Sequence, residues 1–250
     1  MLEGKVALIT GCATGIGKSI AHSMAKEKAN IIIHYNNSEM SAKSLKEELI
    51  SKYNVKCMTI KCDLKNEEEI KKMVDKIVEE FKIVDILVNN AALELNTDFN
   101  LKKKQDFLDV LNTNLVGPFI LSRYIGDIMY QNKSGKIINI TSNNALNKYD
   151  PSTLEYDASK AGLISLTHNL ALQYAPYVNV NAVAPGWILS DKVKNLNKSL
   201  DGLLEKTESE KILKARFGEP NEVAHLVTFL SSDKANYINN EVIRIDGGSL

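Results

Sequence analysis

The sequence predicts an α/β fold: a single-domain, doubly wound parallel sheet with helices on both faces. Short apolar runs alternate with segments of helical period along the chain, and continuous apolar runs are typical of parallel strands buried on both faces. Right-handed crossovers then place the intervening helices on the two faces of one sheet. In such a sheet we expect a ligand at the carboxyl ends of the strands.

The elements follow in order along the chain. Strand-like runs occupy residues 6–9, 31–34, 57–62, 84–88, 136–140, 178–183 and 242–245. The segments between them predict helices, the clearest of which carries one apolar stripe with spacings of three and four: Ile70, Met73, Val74, Ile77, Val78 and Phe81. The polar stretch from Ser190 to about Glu210 interrupts the alternation. It is either a mobile lid over a substrate or an ordinary surface insertion.

Composition narrows the class of protein. The chain has 250 residues, 44% hydrophobic and 25% charged, which suits one domain spanning 1–250. Its 31 acidic and 31 basic residues cancel, so we expect neither nucleic acid nor anionic membrane as a partner. No apolar stretch approaches the ~20 residues of a membrane span, and a strand begins almost at once, which predicts a cytoplasmic protein without a signal peptide. Three cysteines and four scattered histidines predict neither a disulfide framework nor a metal site.

A glycine-rich motif follows the first strand. Residues 10–17 read Thr-Gly-Cys-Ala-Thr-Gly-Ile-Gly and precede a helix-like segment. Glycines let the backbone approach a ligand closely, and the free N–H groups and dipole of a helix N-terminus favour an anion, so the motif predicts a phosphate site. An ATP-binding P-loop would require a glycine at Cys12 and is excluded. The alternative is a tight turn without a ligand.

A second motif lies in the middle of the chain. Tyr156 and Lys160 are four residues apart and share one face if the segment is helical, and Ser142 lies a short loop upstream. A phenol has a pKa near 10, and a neighbouring ammonium favours its ionised form. Such pairs also occur by chance on solvated helices. Together with the phosphate motif, this one predicts proton transfer at a carbonyl.

With these motifs the chain resembles the short-chain dehydrogenase/reductase family, most of all its 3-oxoacyl-[acyl-carrier-protein] reductase-like branch. The resemblance covers essentially all 250 residues and includes segments 89–92, 112–119, 138–142, 185–188 and 216–220 and the tail 245–248. It implies a Rossmann-type domain that transfers a hydride between a nicotinamide dinucleotide and a carbonyl or secondary alcohol. It also implies a homotetramer, which the apolar residues of the helix after Tyr156 support: Leu163, Ile164, Leu166, Leu170, Ala171 and Tyr174.

The resemblance assigns four catalytic residues. Tyr156 is the general acid and base; Lys160 lowers the pKa of Tyr156 and holds the ribose of the cofactor. Ser142 hydrogen-bonds the carbonyl oxygen. Asn114 holds a water that links Lys160 to solvent, although an asparagine that satisfies backbone groups at a helix kink is an alternative.

The resemblance also assigns the cofactor site. At the end of the second strand, Tyr35 takes the place of the acid that binds the ribose in NAD enzymes, and polar neutral residues follow it. NADP(H) is therefore favoured and NAD(H) remains open. The cofactor-binding residues are Gly11, Thr14, Gly15, Ile16, Gly17, Tyr35, Asn36, Asn37, Ser38, Asp63, Leu64, Asn90, Tyr156, Lys160, Pro185, Gly186, Ile188 and Ser190.

Three departures from the family pattern bear on the cofactor site or on the substrate. Ala92 replaces a glycine, the loop between Ser142 and Tyr156 is one residue longer, and the two positions for docking acyl carrier protein read Lys133 and Leu172, of which only one is basic. A 3-oxoacyl thioester therefore competes with a sugar, polyol or small ketone as the substrate. A catalytically silent cofactor-binding regulator is the hypothesis from another class, and the complete catalytic set argues against it.

Overall fold

The computed structural model describes residues 1–146 and 148–249. Within them the strands are β1 (Val6–Ile9), β2 (Asn30–Tyr35), β3 (Cys57–Lys61), β4 (Ile86–Asn89), β5 (Gly135–Ile140), β6 (Val178–Pro185) and β7 (Val242–Ile245). The helices are α1 (Gly15–Lys26), α2 (Glu39–Tyr53), α3 (Glu67–Phe81), α4 (Lys104–Leu111), α5 (Gly117–Gln131), α6 (Leu154–Tyr174), α7 (Asp191–Ser199), α8 (Leu203–Ser209) and α9 (Pro220–Leu230). A π-helical turn, Asn112–Val116, joins α4 to α5.

The strands form one parallel sheet in the order β3-β2-β1-β4-β5-β6-β7. The order reverses between β1 and β4, which pair in parallel with Leu8 opposite Leu87. The carboxyl ends of these strands therefore open a crevice at the switch point. The predicted fold class is confirmed, and each predicted strand lies within a few residues of an observed one.

Two apolar layers hold the helices on the sheet. Along β1, Ala7 and Ile9 pack in the layer beneath α1, α2 and α9, while Val6 and Leu8 pack in the layer beneath α3, α5 and α6. This alternation follows from the two-residue period of a strand. It also separates Cys57, in the first layer, from the second-layer Cys62. All three cysteines are free and buried.

Local sequence sets where the helices begin. Asn66 caps α3 by accepting hydrogen bonds from the N–H groups of Glu68 (3.0 Å) and Glu69 (3.2 Å). Its first turn is acidic, which suits the positive end of the helix dipole. The stripe predicted for this helix forms its buried face, with Ile70 and Ile77 fully buried.

The polar stretch 190–210 forms α7 and α8. Neither helix contains a buried residue, and all their residues belong to the described part of the chain. Within residues 1–146 and 148–249, no helix is long and apolar enough to span a membrane. The same residues contain no cluster of histidine, cysteine and acidic side chains that fits a metal ion.

Candidate active site

A cleft of about 600 Å³ lies at the carboxyl ends of β1 to β4. Most of the expected cofactor residues line it: Gly11, Thr14, Gly15, Ile16, Gly17, Tyr35, Asn36, Asn37, Ser38, Asp63, Leu64, Asn90, Tyr156 and Ser190. The sheet thus brings together residues from separate segments, because parallel strands end at one edge. A second pocket of about 390 Å³ lies between residues 144–145, residues 149–151 and α6.

The glycine-rich turn is built for close backbone approach. Gly11 has a φ of +62°, and a Cβ there would lie 2.9 Å from the Cα of Ala91. A Cβ at Gly17 would lie 2.5 Å from the side-chain nitrogen of Asn90, which donates to the carbonyl of Thr10 at 2.9 Å. Side chains at either glycine would therefore push the turn away from β4.

The N-terminus of α1 fits a phosphate. Its N-cap residue, Thr14, makes no side-chain hydrogen bond to the first turn, and the helix begins at Gly15 inside the cleft. Backbone N–H groups of a first helical turn have no partner within the helix, and its dipole favours an anion. The donor set and the glycine cradle therefore suit a dinucleotide pyrophosphate.

The end of β2 forms the next part of the wall. Tyr35, Asn36, Asn37 and Ser38 line the cleft without a carboxylate among them. Lys65, which the sequence reasoning missed, also lines it, two residues beyond Asp63 on the β3 side. The Asp63 carboxylate accepts a hydrogen bond from the N–H of Lys65 at 3.0 Å. A cation at this wall suits a negatively charged part of a ligand.

Helix α6 presents the pair that the sequence predicts to be catalytic. The Lys160 ammonium lies 5.5 Å from the centre of the Tyr156 ring and donates to the carbonyl of Ile140 at 2.8 Å. Lys160 is buried, whereas Tyr156 is partly buried at the cleft wall. Ser142 follows β5, and its hydroxyl accepts a hydrogen bond from the N–H of Asn144 at 3.2 Å. The helix and the end of β5 thus bring the three predicted groups together.

Burial dominates the electrostatics of this pair. Burial raises the pKa of Tyr156, the charge of Glu94 raises it further, and the neighbouring Ser142 hydroxyl lowers it. Burial lowers the pKa of Lys160 to about 8, against the charge of Glu94. The Lys160 ammonium is bonded to the Ile140 carbonyl, and the expectation that Lys160 lowers the pKa of Tyr156 stays a prediction.

Asn114 lies in the π-helical turn and is fully buried. Its side chain accepts from the N–H of Leu93 at 2.7 Å and donates to the Leu93 carbonyl at 2.8 Å and to the Ser159 hydroxyl at 3.0 Å. The side chain thus satisfies backbone groups at an irregular point of a helix, which is the alternative that the sequence left open. Such π-helical turns are frequent at functional sites.

Besides the buried Lys160, three expected cofactor residues do not line the cleft. Pro185 ends β6, the N–H of Gly186 donates to the Ile245 carbonyl at 3.2 Å, and Ile188 is packed in the core at 5% exposure. They lie just beyond the carboxyl end of β6. Their contact with a cofactor stays a prediction.

Besides Lys65, two charged residues of the cleft were missed. Glu94 and Lys192 both line it and form a salt bridge. Glu94 follows β4 and Lys192 lies in the first turn of α7, so 98 residues separate them in the chain. The position of Glu94 shortly after the end of a strand was a signal that it could line the cleft. No sequence pattern indicated Lys192.

Comparisons with known proteins agree with the fold. A family model described as enoyl-(acyl carrier protein) reductase matches residues 11–249. A 3-oxoacyl-[acyl-carrier-protein] reductase of Staphylococcus epidermidis is 39% identical over 247 residues, 98% of this chain and 98% of the relative. An uncharacterized oxidoreductase of Thermotoga maritima is 37% identical over 252 residues, 99% and 96% of the two chains.

A solved structure shows the same architecture. It is that of a candidate short-chain alcohol dehydrogenase from Sinorhizobium meliloti, with a TM-score of 0.92, 30% identity and coverage of 100% of this chain and 98% of that one. The chain belongs to the short-chain dehydrogenase/reductase family. It is accordingly an oxidoreductase that works with a nicotinamide cofactor.

Proposed function

We propose that this protein is an NADP(H)-preferring carbonyl reductase whose catalytic residues are Asn114, Ser142, Tyr156 and Lys160. The observation that carries the proposal is the position of Tyr156, which lies beside Ser142 and one helical turn from Lys160 at the wall of a cleft that also contains the glycine-rich turn. A bound nicotinamide would supply the hydride to the substrate carbonyl.

The chain's own groups handle the proton. Tyr156 donates its hydroxyl proton to the developing alkoxide in reduction and accepts it back in oxidation. The Ser142 hydroxyl donates a hydrogen bond to the same oxygen and stabilises charge where it develops. Lys160 keeps its positive charge below a pKa of about 8, so at neutral pH it opposes the charge of Glu94 near the phenol. Asn114 fixes the position of Leu93 in the cleft wall. We propose that the π-helical turn around Asn114 also holds the water that links Lys160 to solvent.

Preference for NADP(H) rests on the end of β2. The wall there contains neutral donors at Asn36, Asn37 and Ser38 and the cation Lys65, with no carboxylate at Tyr35 to repel a 2′-phosphate. The side chain of Ser38 makes no capping hydrogen bond to α2 and is free to donate to a ligand. NAD(H) is the alternative cofactor.

The first candidate substrate is a 3-oxoacyl thioester, as the names of the relatives suggest. Lys133 precedes β5 and Leu172 lies near the end of α6, so both are at the edge of the sheet opposite the cleft. An acidic carrier protein that docks at the mouth of this chain's own cleft would therefore not contact Lys133 or Leu172. This observation favours the second candidate, a sugar, polyol or small-ketone dehydrogenase.

A substrate screen tests the function. Oxidation of NADPH and of NADH is followed with acetoacetyl thioesters, aldoses, small ketones and a generic diketone. We expect turnover with at least one carbonyl and faster turnover with NADPH. Nucleotide binding without turnover of any carbonyl would instead support the silent regulator.

We further propose that α7 and α8 form a lid over the substrate. Trp187 stacks on Phe217 with ring centres 5.3 Å apart and donates to Glu208 of α8 at 3.2 Å. These two contacts fix Trp187 at the base of the proposed lid. The helices above it bury no residue, and such segments open easily. Amide hydrogen exchange should show protection of α7 and α8 rising with NADPH and a substrate analogue. Equal protection in both states supports the surface insertion.

For the assembly we propose a cytoplasmic homotetramer. The sequence argument from α6 needs correction, because Leu163, Leu170, Ala171 and Tyr174 are buried in the chain's own core. Exposed apolar side chains on α4 to α6 support the proposal instead: Leu108, Val116, Phe119 and Leu172. Light scattering at micromolar concentration tests it, and a monomeric mass would refute it.

A further inference from the structure

His34 is a buried side chain of the cleft wall to which the proposed chemistry assigns no role. It lies in β2, one residue before Tyr35, and is 2% exposed. The N–H of Gly11 donates to its Nδ1 at 3.1 Å, and its Nε2 lies 3.0 Å from the carbonyl oxygen of Cys62. One imidazole thus joins the glycine-rich turn to the segment that leads from β3 into Asp63.

The partners fix the tautomer of the ring. A backbone N–H only donates and a carbonyl only accepts, so Nδ1 of His34 is the acceptor for Gly11 and Nε2 carries the proton that is donated to Cys62. Burial lowers the pKa of His34 to about 4, which keeps the ring in this neutral form at neutral pH. In a protonated ring, Nδ1 would carry an N–H that faces the N–H of Gly11, so the hydrogen bond between them would be lost.

The bond to Gly11 stands where the sheet ladder ends. Ile9 pairs with Ile33 as the last residue of β1, and the N–H of Thr10 then turns to the carbonyl of Val88 in β4 at 3.0 Å. The N–H of Gly11 therefore lies beyond the hydrogen bonds that pair β1 with β2. The His34 side chain supplies the acceptor instead, at the residue whose left-handed φ starts the turn.

We propose that His34 is a positioning residue for the cofactor: through Nδ1 it sets the conformation of the turn that receives the pyrophosphate. The proposal rests on the proposed function only in requiring a dinucleotide in the cleft. The bond from Nε2 to Cys62 ties down the β3 side and contributes mainly to the stability of the fold. The two bonds of one ring thus have separable effects.

Two substitutions separate the bonds. His34→Asn keeps an amide oxygen near the position of Nδ1, and His34→Gln keeps an amide nitrogen near the position of Nε2. Each variant loses one buried hydrogen bond, so we expect similar falls in melting temperature. We expect NADPH affinity, measured by fluorescence titration without substrate, to fall about tenfold in His34→Gln and by less than about threefold in His34→Asn. The kcat at saturating cofactor should stay close to that of the unmodified protein in both.

A control variant and a fallback variant complete the experiment. His225→Asn on the exposed side of α9 should change neither property. If His34→Gln does not fold, His34→Ala, which loses both bonds, should bind NADPH at least about tenfold more weakly. Equal affinities of the Asn and Gln variants, or unchanged affinity of the Ala variant, would overturn the proposal. Failure of the unmodified protein to bind any nicotinamide nucleotide would instead remove the proposed function.

Discussion

The two walls of the cleft are held in place by different kinds of contact. The cofactor wall consists of strand ends, a glycine-rich turn and hydrogen bonds to backbone groups, such as that from the Asn90 side chain to the Thr10 carbonyl at 2.9 Å. The wall that we propose for the substrate consists of residues 94–103, 143–146, 148–155 and 190–216. Side-chain pairs hold these loops together. The first wall follows from the parallel sheet, whereas the second depends on pairings between loops.

The contacts of the substrate wall converge on the residues beside Tyr156. The Lys102 ammonium donates to the Glu155 carboxylate at 2.8 Å and to the carbonyl of Ser152 at 2.7 Å. The Asp157 carboxylate accepts from the Asn144 side chain at 2.9 Å. Residues on both sides of the Tyr156 phenol are thus bonded to the loops of the proposed substrate wall. In the proposed function, the wall that selects the substrate therefore also positions the acid.

The largest effect should come from removing the phenol itself. Tyr156→Phe should lower kcat by at least ~100-fold, the low end for general acid catalysis, because no other group replaces the proton donor. NADPH affinity should persist, since phenylalanine keeps the aromatic ring and leaves the strand ends and the glycine-rich turn unchanged. Tyr237→Phe, on a fully exposed side chain outside the cleft, is the matched control and should keep full activity. Retained activity of purified Tyr156→Phe would show that the assignment of Tyr156 as the general acid is wrong.

The contrast between the walls also explains what the sequence predicts. Gly11, Gly17 and the pair Tyr156 and Lys160 belong to short motifs, in which a few adjacent residues determine the local geometry, and their neighbourhood follows from the parallel sheet. The contact between Lys102 and Glu155 spans 53 residues and joins two loops without periodicity. Such pairings depend on loop conformations that composition and spacing do not encode, so the sequence predicts the cofactor wall in detail and only the position of the substrate wall.

The next effect should come from breaking the buried ion pair. Glu155 is 1% exposed and Lys102 is 10% exposed, so Lys102→Met leaves a buried carboxylate without its partner. We expect a loss of about 3 kcal/mol in the free energy of unfolding, measured by urea denaturation. Combining it with Glu155→Leu should recover most of that loss, because an apolar pair has no charge to desolvate.

A matched control uses an exposed pair. Lys43→Met removes a cation that pairs with Glu39 at the surface of α2 and should leave the unfolding midpoint almost unchanged. If Lys102→Met behaves like Lys43→Met, the substrate wall does not depend on the buried pair, and the comparison between the walls fails at this point.

A smaller effect should follow at the cofactor wall from Tyr35→Asp. The new carboxylate would repel a 2′-phosphate and accept a hydrogen bond from a ribose hydroxyl. We expect the ratio of NADPH to NADH affinity to fall about tenfold or more, the size of a single charge-assisted contact. Fluorescence titration with both nucleotides measures it. Tighter binding of NADH than of NADPH by the unmodified protein would show that the proposed preference is wrong.

The smallest effect should appear where the walls meet, at Glu94 and Lys192. The charge of Glu94 raises the pKa of Tyr156, and alcohol oxidation requires the ionised phenol, so its rate rises as the pH passes that pKa. Glu94→Gln removes the negative charge and should move the rise to lower pH. Lys192→Met leaves Glu94 without its ion-pair partner and should move the rise to higher pH.

The two opposite shifts distinguish an electrostatic effect from a general disturbance of the cleft. Glu94 is partly solvated, with its side chain 38% exposed, so each shift should be a fraction of a pH unit and should shrink as salt is added. The other charges near the phenol, on Asp157 and Lys160, are the same in both variants and do not contribute to the difference. Glu79→Gln, an exposed acid near the far end of α3, should leave the profile in place. Shifts of the same sign in both variants would show that the pair acts on Tyr156 through loop position rather than charge.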